Sequence, residues 1–266
     1  MRALILCYHR VKDEADSYLR PTRVLDFDRQ MEYLSTRYHP MSLGRMVQCL
    51  RDGIVLPAKA IAITFDDGYR DNYENAYPVL RKYRVPATMF LATDFIGTGV
   101  LPAWEEGYYT GEKALMLSWD QVREMSDAGV SFGSHTLSHP FLARIPRKRR
   151  EDELCRSKEI IEQQIGRPVT LFAYPSGDFD RDTEEAVRQA GYDAAVSIRA
   201  GKNRRCDDVY ALRRNVIQLR SACHRFFPVS FLAEATGVVG HMRACYYRMR
   251  KLGMRCGRCP FPEGLP

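Results

Sequence analysis

The sequence predicts an α/β fold in which parallel strands alternate with helices, followed by a basic helical appendage. Short apolar segments alternate with amphipathic segments from residue 3 to residue 197, which is typical of β/α units. A chain of 266 residues with 45% hydrophobic and 27% charged residues has enough apolar material for one large core. The alternation fades after residue 216. We therefore expect one domain over residues 1–220 and a mainly helical extension over residues 221–266.

The first half of the domain contains three predicted strands and two predicted helices. Residues 3–8 (ALILCY) are apolar but too few for a secretion signal, so this segment is predicted to be the first strand. Further strands are predicted over residues 60–65 and 87–92, which are short apolar runs that contain β-branched, aromatic and aliphatic side chains. Helical spacing of apolar side chains predicts helices over residues 27–37 and 75–83.

The second half continues the alternation. Strands over residues 130–134, 170–174 and 194–197 are expected to alternate with helices over residues 119–128, 147–165 and 182–190. Residues 97–117 contain Gly, Pro and aromatic residues without a clear period, and we expect a loop that either walls a substrate groove or has no function. Residues 226–251 have a helical pattern interrupted by arginines.

Positive charge is concentrated near the C-terminus. The net charge is +7, and residues 199–258 contain 14 Lys and Arg against 3 Asp and Glu. This asymmetry argues against a protein that coats nucleic acid as a whole and indicates a local anionic partner, either lipid headgroups or an anionic substrate carrier, although solvated surface charge would also explain it. No apolar stretch is long enough to cross a bilayer. The expected location is the cytoplasm, with the basic segment peripheral at the inner membrane face.

The eight cysteines are scattered and are predicted to be reduced thiols. One pair, Cys256 and Cys259, forms a CxxC motif. A single CxxC without a second pair or nearby histidines is weak evidence for zinc. We therefore favour a cysteine-rich tail without a metal.

Two adjacent carboxylates end the predicted strand over residues 60–65. Asp66 and Asp67 follow its last residue and precede Gly68. Neighbouring carboxylates repel each other and resist desolvation, so a fold tolerates them at a buried strand end where a cation, a proton or solvent compensates. The pair indicates a metal site, although a simple Asp-Asp-Gly turn is the alternative.

Two histidines offer the other ligands of such a site. His135 follows the predicted strand over residues 130–134, and His139 lies in the next loop before Pro140. One carboxylate and two imidazoles form the ligand set of a catalytic divalent metal, whereas structural zinc normally has four protein ligands. Because the carboxyl ends of parallel strands gather at one mouth of a barrel, these side chains are expected to meet there. The set indicates hydrolysis.

These motifs resemble those of the polysaccharide deacetylases with a NodB homology domain, carbohydrate esterase family 4. The resemblance covers about residues 4–216 and rests on residues 64–68 (TFDDG), 134–140 (SHTLSHP) and 171–177 (LFAYPSG). Residues 6–11 (LCYHRV) are similar to the circularly permuted branch that includes the PgaB and IcaB deacetylases of glucosamine polymers. The resemblance implies a distorted (β/α)7 barrel.

The resemblance also implies a role for each motif residue. Asp67, His135 and His139 would hold a divalent metal, with Zn²⁺ as the first choice and Co²⁺ or Ni²⁺ as alternatives. Asp66 would be the general base that activates water. His9 would be the general acid that donates a proton to the departing amine.

Two more residues are assigned by the later motifs. Ser176 follows Pro175 at the position whose backbone N–H stabilises the oxyanion, in place of a tyrosine common in the family. Arg214 resembles the arginine of a later motif and would pair with Asp66. The arginine that many members carry in the motif at residues 171–177 is missing here.

The predicted function is removal of an N-acetyl group, with release of acetate, from an amino sugar in an oligosaccharide, a polysaccharide or a lipid-linked glycan. One alternative is metal-dependent hydrolysis of a non-sugar C–N bond on the same fold. The other is a non-catalytic glycan-binding relative, against which the presence of Asp66 together with all three ligands argues. Nucleic acid is not an expected partner.

Overall fold

The computed structural model describes residues 2–14, 17–110, 115–217 and 229–236. Nine strands in these ranges form one curled sheet. The strands are β1 (Arg2–Tyr8), β2 (His39–Pro40), β3 (Ala60–Phe65), β4 (Ala87–Leu91), β5 (Ser131–Ser134), β6 (Leu171–Ala173), β7 (Ala194–Val196), β8 (Asn203–Arg204) and β9 (Asn215–Val216).

Helices alternate with the strands. They are α1 (Val24–Arg37), α2 (Leu43–Asp52), α3 (Tyr77–Tyr83), α4 (Trp119–Asp127), α5 (Arg147–Ile165), α6 (Arg181–Gln189) and α7 (Val229–Ala235). A π-helical turn over Asn72–Ala76 leads into α3, and a capping box formed by Ser118 and Gln121 starts α4. None of the helices in the described ranges is both long and apolar enough to cross a bilayer.

The sheet is mainly parallel and its two edges approach each other. The strand order is β7-β6-β5-β4-β3-β1-β8, with β8 antiparallel to β1. β9 pairs with β1 through Leu6 and Asn215, and just before β9 Leu212 forms a parallel bridge with Val196 of β7. The segment around β9 therefore joins β7 to β1 and gives the sheet its barrel-like form.

The two faces of the sheet pack against different partners, because successive strand residues point to opposite sides. On β1, Leu4 and Leu6 belong to the larger apolar cluster, which includes residues of the surrounding helices. Ala3 and Ile5 belong to a second cluster inside the curl, to which α2 contributes Met46. The interior is thus filled at its amino end by α2, and the carboxyl ends of the strands surround the opposite mouth.

The predicted order of elements is confirmed, with differences in detail. The predicted helix over residues 27–37 begins earlier, at Val24, and the one over residues 75–83 divides into the π-helical turn and α3. Helix α2 was not predicted, although its buried residues Leu43, Met46, Val47 and Leu50 have helical spacing. Strands β2, β8 and β9 were also not predicted, because strands of two residues are too short to show a period of two.

Of the predicted C-terminal helix over residues 226–251, the structure describes only residues 229–236, which include α7. Phe231 and Ala235 of α7 are buried in the larger apolar cluster. This part of the expected extension therefore packs on the domain. The remainder of the basic extension, with Cys256 and Cys259, lies outside the described residues.

Gly133 of β5 has no room for a side chain. A Cβ atom there would lie 2.5 Å from the Phe90 ring and 2.8 Å from the carbonyl oxygen of Leu171. We expect Gly133→Ala to lower the free energy of unfolding by about 1–3 kcal/mol, because the crowded neighbours must shift. Urea denaturation measures the change.

The matched control is Gly44→Ala in α2, where an added Cβ meets nothing within 4 Å. This variant should leave stability unchanged or raise it by up to about 1 kcal/mol, since alanine favours helices. Equal unfolding free energies for the two variants would show that β5 tolerates a side chain at Gly133.

Candidate active site

Polar side chains converge at the carboxyl ends of the parallel strands. His9 follows β1, Asp66 and Asp67 follow β3, His135 follows β5, and Ser176 lies just beyond β6. All of them line one cavity of about 570 Å³, a volume within the usual range for ligand pockets. The structure brings these residues to the same mouth of the sheet, as the sequence indicated.

Asp67, His135 and His139 form a cluster with the geometry of a metal site. The Nε2 atom of His135 lies 3.5 Å from Oδ1 of Asp67, and the Nε2 atom of His139 lies 3.6 Å from the same oxygen. Ligand atoms bound at about 2.1 Å to a tetrahedral zinc lie about 3.4 Å apart. The three residues therefore fit one divalent cation.

The protonation states of the two imidazoles also suit metal binding. Nδ1 of His135 lies 2.7 Å from the carbonyl oxygen of Ala173, so Nδ1 carries the proton and Nε2 offers its lone pair to the site. Burial lowers the pKa of His135 and lowers that of His139 to about 3. Both rings are neutral at pH 7, as metal ligands must be.

The charge on Asp67 lacks a full counter-ion among the described side chains. Burial raises the pKa of Asp67 well above its usual value, and the neighbouring Asp66 and Glu105 carboxylates raise it further. A cation between Asp67 and the two imidazoles would reverse this effect by favouring the carboxylate. The raised pKa of Asp67 and the type of donor atoms around it therefore both indicate a cation site.

Several site residues have a left-handed backbone that disfavours most side chains. The φ angle is 72° at Asp67, 71° at Thr136, 57° at His139 and 53° at Ser176. His139 precedes Pro140, which disfavours the right-handed helical region for it, and its backbone lies in the left-handed region. Such conformations cost about 1–3 kcal/mol each and concentrate at functional sites.

Asp66 makes a buried, two-pronged ion pair with Arg214. Arg214 donates from Nη1 to Oδ1 and from Nη2 to Oδ2, each at 2.6 Å, and from Nε to the carbonyl oxygen of Ser197 at 3.0 Å. Burial alone would raise the pKa of Asp66, but the Arg214 guanidinium, together with His135 and His9, holds this pKa below its usual value. Asp66 is therefore ionised, as a proton acceptor must be.

The thiol of Cys7 is a further neighbour of Asp66. Its Sγ donates to Oδ2 of Asp66 at 3.4 Å. A carboxylate has about four lone-pair positions, of which Arg214 occupies two and Cys7 a third. The remaining position, on Oδ1, is the one available to a substrate or water. Cys7 was not predicted as a site residue, although its place two residues before His9 puts both side chains on one face of the chain.

His9 is held beside Asp66 by the chain that follows β3. Its carbonyl oxygen accepts a hydrogen bond of 2.8 Å from Nδ2 of Asn72 in the π-helical turn. Ligand atoms of His9, Asp66 and Cys7 lie within 4.8 Å of one another. Burial lowers the pKa of His9 to about 4, so the ring is neutral at pH 7.

The loop over residues 97–117 contributes aromatic side chains to the cavity. Trp104 and Tyr108 line it, and the Trp104 ring centroid lies 4.5 Å from that of His139. The geometry favours the first of the two expectations for this loop, a wall of the groove. Trp119, by contrast, packs beside Gly97 and does not line the cavity.

Glu105 lies behind this wall and was missed in the sequence. Its carboxylate accepts hydrogen bonds from the Tyr69 hydroxyl at 2.7 Å, the Ser17 hydroxyl at 2.8 Å and the Tyr18 backbone N–H at 3.1 Å. Trp104 donates from Nε1 to the Tyr69 hydroxyl at 2.9 Å. No local pattern distinguishes Glu105 from other loop acids, because its partners are distant in sequence.

Comparison with known proteins identifies relatives over most of the chain. YxkH of Bacillus subtilis (strain 168) is 30% identical over 211 residues, which is 79% of this chain and 69% of the relative. The poly-beta-1,6-N-acetyl-D-glucosamine N-deacetylase of Escherichia coli (strain K12) is 23% identical over 74% of this chain and 34% of its own length. The chain thus spans about a third of the E. coli enzyme.

A solved structure and a family model agree with these relatives. The Streptococcus pyogenes deacetylase PplD, solved in complex with acetate, has a TM-score of 0.73 and 25% identity over 88% of this chain and 98% of its own. This likeness confirms the predicted fold class, apart from the basic appendage. The model for polysaccharide deacetylases matches residues 54–195. Since that match covers more than half of the sequence, the chain belongs to the polysaccharide deacetylase family.

Proposed function

We propose that this deacetylase is a divalent-metal-dependent hydrolase that removes the N-acetyl group from an amino sugar within a glycan and releases acetate. One observation carries the proposal. The three candidate ligands and an arginine-paired carboxylate face the same cavity, so a metal-bound substrate and a proton acceptor would be adjacent. Family membership adds the reaction type, hydrolysis of a C–N bond other than a peptide bond.

Asp67, His135 and His139 would hold the metal. A carboxylate and two imidazoles suit Zn²⁺, with Co²⁺ and Ni²⁺ as alternatives. When bound, the cation supplies Lewis-acid chemistry: it polarises the acetamido carbonyl and makes water a better nucleophile. Three protein ligands leave coordination positions open for this chemistry.

Asp66 would accept the proton of the attacking water at the free lone pair of Oδ1. Its low pKa makes it a weak base, which suffices because the cation acidifies the water. Arg214 keeps the carboxylate ionised and fixes its plane. Arg214 is thus a positioning residue that acts through Asp66.

His9 would deliver the proton to the nitrogen of the departing amine. Because its ring is neutral at pH 7, it must first receive a proton, and Asp66, whose ligand atom lies within 4.8 Å, would supply it through one water. The transfer runs in the favourable direction, since the pKa of His9 lies above that of Asp66. The C–N bond then breaks, leaving acetate and a free amine.

Ser176 would stabilise the oxyanion through its backbone N–H. It lines the cavity, and its left-handed backbone sets the direction of the peptide groups around it. A backbone donor does not depend on the side chain, so the serine in place of tyrosine alters the groove wall rather than the oxyanion site.

We take an N-acetylated glycan as the substrate, either free or lipid-linked. The E. coli relative is named for deacetylation of poly-beta-1,6-N-acetyl-D-glucosamine, and the S. pyogenes deacetylase was solved with acetate, the product that this reaction would release. The names of these two relatives support a glycan substrate rather than a non-sugar amide substrate.

We further propose that the basic C-terminal segment binds an anionic membrane surface. Residues 237–266 contain six Lys and Arg and one acidic residue. Polybasic segments bind the anionic cytoplasmic leaflet at about 1 kcal/mol per basic residue near the surface. This would hold the enzyme at the cytoplasmic face of a membrane, near lipid-linked sugars.

Two variants should separate the proton acceptor from the metal ligands. Asp66→Asn is expected to reduce acetate release from N-acetylglucosamine oligomers by at least about 100-fold, because the general base is lost, while zinc binding persists. His135→Ala should weaken zinc binding by more than about 100-fold, since loss of an outer partner alone costs about 10–100-fold. Chelator competition measures the affinity.

The exposed His39 provides the control, because His39→Ala should change neither quantity. Thermal melting checks that Asp66→Asn is folded despite the altered partner of Arg214. Full activity in Asp66→Asn would refute the assigned role. A wild-type protein that binds no divalent metal, or that hydrolyses only non-sugar amides, would overturn the proposed function.

Removal of residues 237–266 should abolish binding to vesicles of mixed phosphatidylserine and phosphatidylcholine without reducing acetate release from soluble oligomers. The deletion starts after α7 because Phe231 and Ala235 are buried in the core. Co-sedimentation at increasing salt gives the readout, and the full-length protein should lose binding as salt rises. Equal binding of both proteins would contradict the membrane role.

A further inference from the structure

Three aromatic side chains form one side of the cavity, here called the aromatic wall: Tyr18, Trp104 and Tyr108. Trp104 is partly buried beside His139, whereas Tyr18 and Tyr108 are 39% and 49% exposed. The rings of Tyr18 and Tyr108 lie 5.5 Å apart at 66° to each other. The wall therefore runs from the candidate metal ligands outward to solvent.

The wall is built from two separate parts of the chain. Tyr18 belongs to the loop between β1 and α1, and Trp104 and Tyr108 belong to the loop between β4 and α4. Glu105 joins these parts, because it accepts from Ser17 and Tyr18 on one loop and lies between Trp104 and Tyr108 on the other.

Glu105 does not line the cavity and has 0% of its surface exposed. Burial of a carboxylate is unfavourable unless hydrogen bonds compensate, and its three donors come from the Ser17 side chain, the Tyr18 backbone and Tyr69. Tyr69 lies two residues after Asp67. The carboxylate thus fixes the position of the aromatic wall relative to the metal ligands.

We propose that the aromatic wall is a binding subsite for the sugar units next to the acetylated one, and that Glu105 is the positioning residue that holds it. This inference rests on the proposed function. A β-linked hexosamine ring presents a face of axial C–H groups, which packs against the electron-rich face of an aromatic ring. A wall that extends outward from the reacting centre suits a chain of such units, so the favoured substrate is an oligomer rather than a single sugar.

The wall also explains why tyrosines remain exposed at the mouth of the cavity. Exposed aromatic residues beside a polar reaction centre are a common feature of binding sites. The apolar ring supplies contact area at a low conformational entropy, because tyrosine has only two rotatable side-chain bonds. A rigid wall held by Glu105 loses less entropy on binding than two independent loops.

The test is the dependence of acetate release on chain length, measured with β-linked N-acetylglucosamine oligomers of one to five units. For the wild-type protein, kcat/KM should rise by at least about tenfold from monomer to pentamer. In the double variant Tyr18→Ala/Tyr108→Ala this rise should fall to about twofold or less, mainly through KM, because each aromatic contact contributes about two- to tenfold.

Two further variants distinguish stacking from a structural effect. Tyr18→Phe/Tyr108→Phe keeps both rings and should retain the wild-type rise with chain length. Glu105→Gln has nearly the same shape but cannot accept all three hydrogen bonds, so it should flatten the rise as the alanine variant does. Val55→Ala, at a side chain 74% exposed and outside the cavity, is the control.

Binding is also measured without turnover, in an Asp66→Asn background, from the fluorescence of Trp104. The chain has only one other tryptophan, Trp119, which Trp119→Phe removes. Pentamer affinity should fall by about tenfold when the two tyrosines are replaced by alanine. This readout does not depend on acetate chemistry.

The outcomes separate the two proposals. Acetate release with no dependence on chain length in the wild-type protein would overturn the aromatic subsite and leave the deacetylase function intact. Oligomer binding that depends on the tyrosines, in a protein that releases no acetate, would overturn the function and leave the subsite. A rise with chain length that survives both alanine substitutions would also refute the subsite.

Discussion

The buried ion pair of Asp66 and Arg214 is the interaction on which the candidate site depends. Both side chains lie inside the curl of the sheet, with Arg214 fully buried. Removal of one partner from such a pair costs about 3–5 kcal/mol, because the other remains as a buried, uncompensated charge. The candidate proton acceptor therefore also contributes to the stability of the closed sheet. The two-pronged guanidinium fixes the plane of the Asp66 carboxylate, and together with the Cys7 thiol it leaves one lone pair, on Oδ1, for a substrate or water.

The two adjacent carboxylates differ because their surroundings differ. Arg214 lowers the pKa of Asp66, whereas burial and nearby carboxylates raise that of Asp67. The charge of Asp66 is balanced by the protein itself, whereas that of Asp67 would be balanced by a cation held together with His135 and His139. Environments that separate the pKa values of neighbouring acids are how a protein assigns them different duties. Asp67 has a left-handed backbone, and its Oδ1 lies within 3.6 Å of the Nε2 atoms of both histidines.

The parts of the site that sequence could predict are those with local patterns. Strand periodicity and the motifs indicated that Asp66, Asp67, His135 and His139 would meet at one mouth, and the structure brings them together there, because each follows a strand that ends at this mouth. Glu105 escaped notice because its partners Tyr69 and Ser17 are 36 and 88 residues away. Two of the three residues of the aromatic wall, Trp104 and Tyr108, lie in the segment over residues 97–117, which has no clear period. Strand β9, which closes the sheet, could not be predicted from the sequence either, because two residues are too few to show the alternating pattern of a strand.

The place of Arg214 in the chain has a consequence for how the protein matures. It lies 148 residues after Asp66, and β9 next to it pairs with β1, so the first and last strands of the sheet meet. During synthesis the emerging chain exposes its N-terminal strands first. A nascent chain on the ribosome that has not yet reached β9 has an acid without its counter-ion and an open sheet. Hydrolytic competence therefore arises only when translation of the whole domain is complete.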